Sequence, residues 1–431
     1  MTAEVIILNS SGVALAADSA VTIGGTKIFN TAIKLLALSK VQPVGVMIYG
    51  NAGLIGVPWE TLIKLYRTQL KITEMDKLED YSDDFLKYIT RRKDLFPDAL
   101  EKQWVSGKLF RYYTSLREEL VEKLRPGLTD GTAVSNEEVI KVFAELVDEK
   151  HKKLAAEAFA EGMTEAFEKR TRAHYLALFK EFQDGVFQSL KIKAETAEKL
   201  NDLGVYIHTR AIFSQGTSGL VFAGYGESEI YPSVVNIELE GVIQGRLKYR
   251  LRKDKSRKIT SNRDSFIYPF AQEDMVNLFM NGVNNQVLGH MQSALTAFIE
   301  KVPSLIKDDD LKSEDRSAAE IKDELLLSLR AELGTFYRGF GQHIREKHIT
   351  PVMNMVRVLP KDELAAMAEA LVNLTAFKRK VTNTLETVGG PVDVAVISKG
   401  DGLVWVKRKH YFPPELNASF YKNYFRGIEN D

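Results

Sequence analysis

The chain of 431 residues contains no cysteine. That excludes a disulfide framework, a thiolate metal site and a cysteine nucleophile, so a nucleophile in this protein is an oxygen. An excess of charge is absent too: 58 Lys+Arg balance 58 Asp+Glu. Nothing global therefore draws the chain to nucleic acid or to an anionic membrane. No apolar run approaches the length of a membrane span, and no basic stretch precedes an apolar core near the start. A cytoplasmic location is expected. Histidines are few, and His343 and His348 lack an HExxH arrangement, so neither a metal nor another cofactor is expected. There is no internal repeat and no low-complexity tract.

What the chain does have is 45% hydrophobic residues, ample for a sizeable core. Its two ends read as strands and bracket helical material. Thr2–Leu8 and Val13–Val21 favour strands, with turn chemistry at Asn9-Ser10-Ser11-Gly12. Pairing Asn9 with Gly12 and counting outward sets Thr2 opposite Ser19, one residue from Asp18. IKLLALS and VGVMIYG follow as strands turned at Lys40 to Pro43, and a helix starts near Pro58. From Trp59 to Leu200 the pattern is helical, with Phe159, Met163 and Phe167 at i, i+4 and i+8. GVYIHTRAIF, SGLVFAGYG, YPSVVNIELEG and GRLKYRLR read as strands. The basic run from Lys248 to Lys258 alternates with Leu247, Tyr249 and Leu251, as a charged edge strand does. Asp308-Asp309-Asp310 reads as a solvated loop, helices continue to about Arg379, and PVDVAVISKGDGLVWVKRK closes the chain as a hairpin.

Thr2 follows the initiator methionine directly. If Met1 is removed, as aminopeptidases do when the second residue is small, Thr2 carries a free amine and a hydroxyl on one residue, a nucleophile with a built-in base. An acid, Asp18, lies 16 residues further on, and Lys34 lies 32 residues further on. With these spacings the chain resembles the proteasome β-subunit type of N-terminal nucleophile (Ntn) hydrolases. Ser19-Ala20-Val21-Thr22 resembles the family's segment that pairs with substrate backbone, and Val46 to Gly50 its strand and oxyanion glycine. Leu364 to Lys380 followed by Val388-Gly389-Gly390-Pro391-Val392-Asp393-Val394 resembles the family's last helix and strand, in a form that leans towards the bacterial ancestral-type homologues. The resemblance covers roughly residues 1–58 and the last 55, and leaves the middle uncovered. It departs from the family just before the Gly-Gly pair, at Leu385 and Val388, where Thr384, Glu386 or Thr387 could substitute. Ser261 or Ser265 could supply a supporting serine.

The resemblance implies an α+β fold, a four-layer αββα sandwich with a large helical insertion. Residues 1–58 would form the first core strands with the nucleophile, 59–200 the insertion, 201–310 the middle strands and helix, and 311–431 the last helices and strands. It implies a threonine endopeptidase in which Thr2 attacks, Asp18 and Lys34 support it electrostatically and Gly50 donates to the oxyanion, with Thr22, Ala20 and Gly50 binding substrate. Partners would be a peptide or unfolded protein, further copies in a ring or helical homo-oligomer, and an ATP-dependent unfoldase. Two other functions stay open: a catalytically silent scaffold whose helical insertion binds a partner, and a small-amide hydrolase. Each residue also has a plainer role. Asp18 could bond to its own backbone at a strand end, Lys34 could be a surface lysine, Gly50 could serve a tight turn and Thr22 an edge strand.

Overall fold

The computed structural model describes residues 2–23, 27–129, 135–262, 264–311, 316–382 and 388–425. The chain divides into two compact units. The first comprises residues 1–32, 259–398 and 404–413, and the second residues 33–258, 399–403 and 414–431. Both are mixed helix and strand with antiparallel sheets. Among the described residues no helix is long and apolar enough to cross a membrane.

The first unit is built on a five-stranded sheet in the order Phe266–Ala271, Ala3–Asn9, Gly12–Ala17, Asp393–Ser398, Gly402–Lys407. Its centre is the N-terminal hairpin, with Asn9 opposite Gly12 and Glu4 opposite Ala17. This is the expected register, and the strands of both chain ends lie side by side. Successive side chains of a strand face opposite ways, so Ala3, Val5 and Ile7 share one face with Ala14, Ala16, Val394 and Val396. That face packs against the helix Lys361–Lys380 through Leu364, Ala368, Leu371 and Val372. The spacing of i, i+4, i+7 and i+8 makes the helix amphipathic. Acidic Asp362 and Glu363 in its first turn and Lys378, Arg379 and Lys380 in its last suit the helix dipole. Asn9, buried at the hairpin turn, donates to the carbonyls of Val356 and Leu359 at 2.8 and 2.9 Å, satisfying groups that a helix end leaves open.

The second unit carries a sheet ordered Arg246–Leu251, Ser233–Ile243, Ser218–Gly224, Val44–Gly50, Leu35–Ala37, with the short Arg257–Lys258 also paired to Ser233–Ile243. Helices Trp59–Leu70 and Leu78–Arg91 cover one face through Trp59, Tyr66, Phe85 and Ile89. Four further helices, Asp98–Thr129, Asn136–Ala155, Glu165–Val186 and Ala194–Thr209, form a bundle with its own core around Leu109, Tyr113, Phe143, Phe179 and Leu203. To that core the sheet contributes Ile243.

Three expectations are corrected here. GVYIHTRAIF is not a strand: Gly204 to Thr209 complete the helix Ala194–Thr209. Burial of Leu200, Leu203 and Ile207 on one helical face outweighs the strand preference of Val205, Ile207 and Thr209, since tertiary packing overrides propensity. Phe159 and Met163 are not helical, because the helices end at Ala155 and resume at Glu165. Phe159 bridges to Arg210, Gly162 has φ +72°, and the half-buried Phe159 and buried Met163 meet the bundle core from an irregular turn. Lys248 does lie on an edge strand, but it is fully buried rather than solvated.

Candidate active site

The hairpin register carries Thr2 to the open end of the first unit's central strand pair. Thr2 is buried, 5% exposed, and its carbonyl accepts the Gln272 N–H at 3.1 Å. Asp18 follows the strand Gly12–Ala17 and closes a ring with the neighbouring residue. Its N–H donates to the Ala3 carbonyl at 3.1 Å, and its Oδ1 accepts the Ala3 N–H at 3.0 Å. Oδ2 accepts from Ala20 at 3.2 Å and from Gly389 at 3.0 Å. One carboxylate thus takes three backbone N–H groups and ties the N-terminal hairpin to the C-terminal Gly-Gly segment. Ser19 repeats the tie: its N–H donates to the Gly389 carbonyl at 3.1 Å and its hydroxyl to that of Pro391.

Glycine is required in that segment. Gly390 has φ +76°, and a Cβ there would stand 2.8 Å from the Asn30 Cβ. Ala20 is fully buried, its N–H engaged by Asp18. Thr22, half-buried in the short ladder Val21–Ile23 with Lys27–Phe29, keeps a buried hydroxyl that finds no hydrogen-bond partner among the described residues. Ser265 donates to the Met353 carbonyl at 2.9 Å. Met1 and the candidates Thr384, Leu385, Glu386 and Thr387 lie outside the described residues.

Lys34 and Gly50 belong to the second unit. Lys34 is buried, one residue before the strand Leu35–Ala37, and its carbonyl accepts the Ile48 N–H at 2.9 Å. Gly50 ends the neighbouring strand opposite Ser218, with φ +78°, and a Cβ there would lie 2.3 Å from the Thr217 carbonyl oxygen. Only glycine meets both demands at low cost. Thr2 and Asp18 are thus brought together in one unit, while Lys34 and Gly50 sit at the same end of one ladder in the other.

A second polar cluster, in the second unit, was missed by sequence reasoning. The pairing of Ser233–Ile243 with Arg246–Leu251 slips between Leu239, opposite Tyr249, and Gly241, opposite Lys248, which leaves Glu240 as the extra residue of a β-bulge. The Glu240 carboxylate meets Lys248 at 3.0 Å and pairs with Lys108 from the helix Asp98–Thr129. It also accepts the Ser214 N–H at 2.8 Å. Lys248 donates to the Ile207 and Ile212 carbonyls. All three charged side chains are buried. Burial first, and then the charge of Lys248, push the Lys108 ammonium well below the usual lysine range; burial lowers Lys248 as well. Burial raises the Glu240 carboxyl, but the two ammonium groups outweigh it and hold it at about 2. His208 lies beside the cluster, wholly buried, its ring edge-on to Trp104 at 5.3 Å; burial first and Lys108 next bring it down to about 3. The three charged side chains and His208 are buried, so the cluster ties bundle to sheet rather than offering a nucleophile. The unit also holds a groove of about 450 Å³ between Leu78–Arg91 and Arg246–Leu251, lined by charged and apolar side chains that include Lys87, Arg91 and Arg246.

No family model matches the chain, and no curated protein matches it. Among solved structures, Anbu (ancestral beta-subunit) from Yersinia bercovieri aligns at a TM-score of 0.27 and 10% identity, over 100% of this chain and 97% of that one. An Anbu (Gly-1) mutant from Hyphomicrobium sp. strain MC1 aligns at 0.28 and 10%, over 100% and 98%. At such scores the likeness carries no argument about fold or activity. The assignment to the proteasome β-subunit type made from spacings and the terminal block is therefore corrected: with no matching family model and no matching curated protein, the chain is not placed in that family.

Proposed function

We propose that the chain is an amide hydrolase of the threonine-peptidase type, with Thr2 as nucleophile after removal of Met1. The observation that carries this reading is the ring between Asp18 and Ala3, which fixes the backbone next to Thr2 at a buried strand end. An α-amino group has a reference pKa of roughly 7.7 to 8.0, so near neutral pH much of it is available as a base. The amine takes the Thr2 hydroxyl proton while the oxygen attacks a peptide carbonyl. The proton passes to the departing amine, an ester forms on Thr2, and water hydrolyses the ester. Lys34 serves as a cation that eases proton loss, Asp18 holds the local backbone, and the Gly50 N–H meets the oxyanion, a contact typically worth about 3 to 4 kcal/mol.

The proposal requires Lys34 and Gly50 to reach Thr2, and the αββα layering expected from the sequence goes with it. Self-association of the chain, a peptide substrate threading along Val21–Ile23 past Thr22, and delivery by an unfoldase belong to the same reading. A second reading, a catalytically silent scaffold, is favoured by one observation: the Ala20 N–H is engaged by Asp18 and so is not offered to a substrate strand.

The test is labelling of untagged protein by a peptide epoxyketone, whose adduct closes through a hydroxyl and a free amine on one residue. Mass spectrometry should find the chain starting at Thr2 and the adduct on Thr2. Thr2→Ala should abolish adduct and turnover, and Thr2→Ser should retain some of each. Retention of Met1 on most molecules, or peptide turnover undiminished in Thr2→Ala, overturns the mechanism.

A further inference from the structure

Among the described residues four other than glycine have a positive φ: Ile55, Lys71, Gln244 and Ala271. Three of them have an ordinary reason. Ile55 and Gln244 each precede a glycine in a two-residue hairpin loop, and Lys71 ends the helix Trp59–Leu70. Ala271 has no such reason. It ends the strand Phe266–Ala271, directly opposite Ala3, with φ +64°. The Gln272 N–H turns back to the Phe270 carbonyl at 2.9 Å, which closes a three-residue turn of the strained γ form about Ala271.

A strained conformation of this kind persists only where its surroundings over-determine it. Here the residue after the turn is buried and held from two sides. The same Gln272 N–H reaches the Thr2 carbonyl at 3.1 Å, and the Gln272 side-chain oxygen accepts from Arg379. Arg379 stands in the last turn of the helix Lys361–Lys380 and also lies 3.6 Å from the Asp274 carboxylate, so it grips the chain on both sides of Glu273. The peptide plane between Thr2 and Ala3 is thus pinned at both of its polar ends, the Ala3 N–H by the Asp18 carboxylate and the Thr2 carbonyl by Gln272. A rigid plane held in this way keeps the Thr2 Cα in one place. The amine nitrogen and the hydroxyl-bearing Cβ then share a single rotation, about the Cα–C bond.

We propose that the turn at Ala271, locked by Arg379, sets the stance of Thr2, and that Gln272 and Arg379 are positioning residues for its amine and hydroxyl. The proposal rests on the reading of Thr2 as nucleophile and adds to it a clamp on the carbonyl side, opposite the one that Asp18 makes on the amide side. Strain is useful at such a place. An alanine with positive φ has few other turns to adopt while Arg379 holds Gln272, so the Gln272 N–H is aimed at Thr2 before any substrate arrives.

The test follows the rate of adduct formation on Thr2 by a peptide epoxyketone in the untagged full chain, over a range of reagent concentrations. Ala271 is exposed, so Ala271→Val meets no core; its branched side chain is nearly excluded from positive φ, and the variant acts through the turn. In Ala271→Val and Arg379→Met the saturating rate should fall by about 10- to 100-fold, since moving a reacting group by ~1 Å suffices for that. The half-saturating concentration and the circular dichroism spectrum should stay as in the wild type. Gln272→Ala keeps the N–H but removes the oxygen that Arg379 holds, so it should cost as much as Arg379→Met, and the double variant no more than either. Arg379→Lys, which keeps a cationic donor, should recover part of the rate. If Ala271→Val does not fold, the Gln272 and Arg379 variants decide. Labelling at wild-type rates, a smaller labelled fraction with an unchanged rate, or additive losses in the double variant overturn the clamp and leave Thr2 as nucleophile. A wild-type chain that takes no adduct on Thr2 overturns both.

Discussion

Replacing Glu240 by Gln removes the single anion that two buried ammonium groups share. Glu240 meets Lys248 at 3.0 Å and pairs with Lys108 where all three side chains are buried. Breaking a buried ion pair from one side typically costs about 3 to 5 kcal/mol, because the remaining charge is stranded in a poor solvent. For a folding unit of this size that corresponds to a fall in melting temperature of roughly 6 to 20 °C. Lys108→Met should behave differently. Two cations share one anion, and Lys248 is also held by the Ile207 and Ile212 carbonyls while among the described residues Lys108 has only Glu240 and the Trp104 ring to hold it, which leaves Lys108 the less well compensated. Replacing it with an apolar chain of similar length leaves Lys248 and Glu240 as a matched pair, and the cost should stay below about 1.5 kcal/mol. Urea unfolding followed by tryptophan fluorescence suits the comparison, since the Lys108 Nζ lies 5.6 Å from the Trp104 ring. If Lys108→Met costs as much as Glu240→Gln, or Glu240→Gln costs less than about 1 kcal/mol, the account of the cluster as an over-protonated buried triad is wrong.

The same region should make the second unit sensitive to acid. His208 is neutral in the fold and held at about 3; an unfolded histidine takes a proton below about 6.5, so stability should decline as pH falls from 6.5 towards 3. Glu240, held at about 2, adds in the same direction, because its contribution is present above the ordinary carboxyl range and is lost as pH drops through it. In His208→Phe the loss between pH 6.5 and 4.5 should shrink by about 2 to 3 kcal/mol in acid titrations followed by circular dichroism, and an unchanged profile would falsify the assignment. At Gly241 a Cβ would lie 2.2 Å from the Trp104 ring. Gly241→Ala should therefore destabilise by about 1 to 3 kcal/mol in thermal unfolding, and a neutral outcome would show that Trp104 moves freely. Asp18→Asn replaces one acceptor oxygen by a donor where Ala20 and Gly389 both donate. It should cost about 1 to 3 kcal/mol, with faster amide exchange at Gly389, and protection at Gly389 that stays intact would count against the clamp.

The ends of the chain were legible because short apolar runs of strand-favouring residues stand on either side of turns that carry Gly, Asn and Ser. The register from Asn9 and Gly12 to Glu4 and Ala17 follows from that alone. The proximity of Asp18 to the first residues was legible by counting, but its grip on Gly389, 371 residues away, was not. Nothing local announces such a bond; its trace is the Gly-Gly pair, where φ of +76° and the close approach of Asn30 leave room for glycine alone. The errors lay in the middle. Val205, Ile207 and Thr209 are strand formers by propensity, and bundle burial decided for helix. Phe159, Met163 and Phe167 kept a helical spacing across a turn, because burial against one core produces the same period without the backbone. Lys248 looked like a solvated charge since its partner Glu240 is brought round by a bulge, and the slip of one residue is not written in the pattern of either strand.

The central sheet of the first unit joins residues 3–17, 266–271 and 393–407. On a ribosome adding roughly 5 to 20 residues per second, the hairpin waits some 20 to 75 s between its own synthesis and the arrival of the strand that pairs with Gly12–Ala17. For roughly the first two-thirds of that interval the start of the chain has neither Gly389 nor Gln272 to hold it, and Gly389 comes only at its end, although both fix it in the finished fold. Thr2 reaches its 5% exposure only at the end of that wait. Any enzyme that trims the residue before Thr2 therefore works in a window set by translation, and a slower final third of the message would lengthen it.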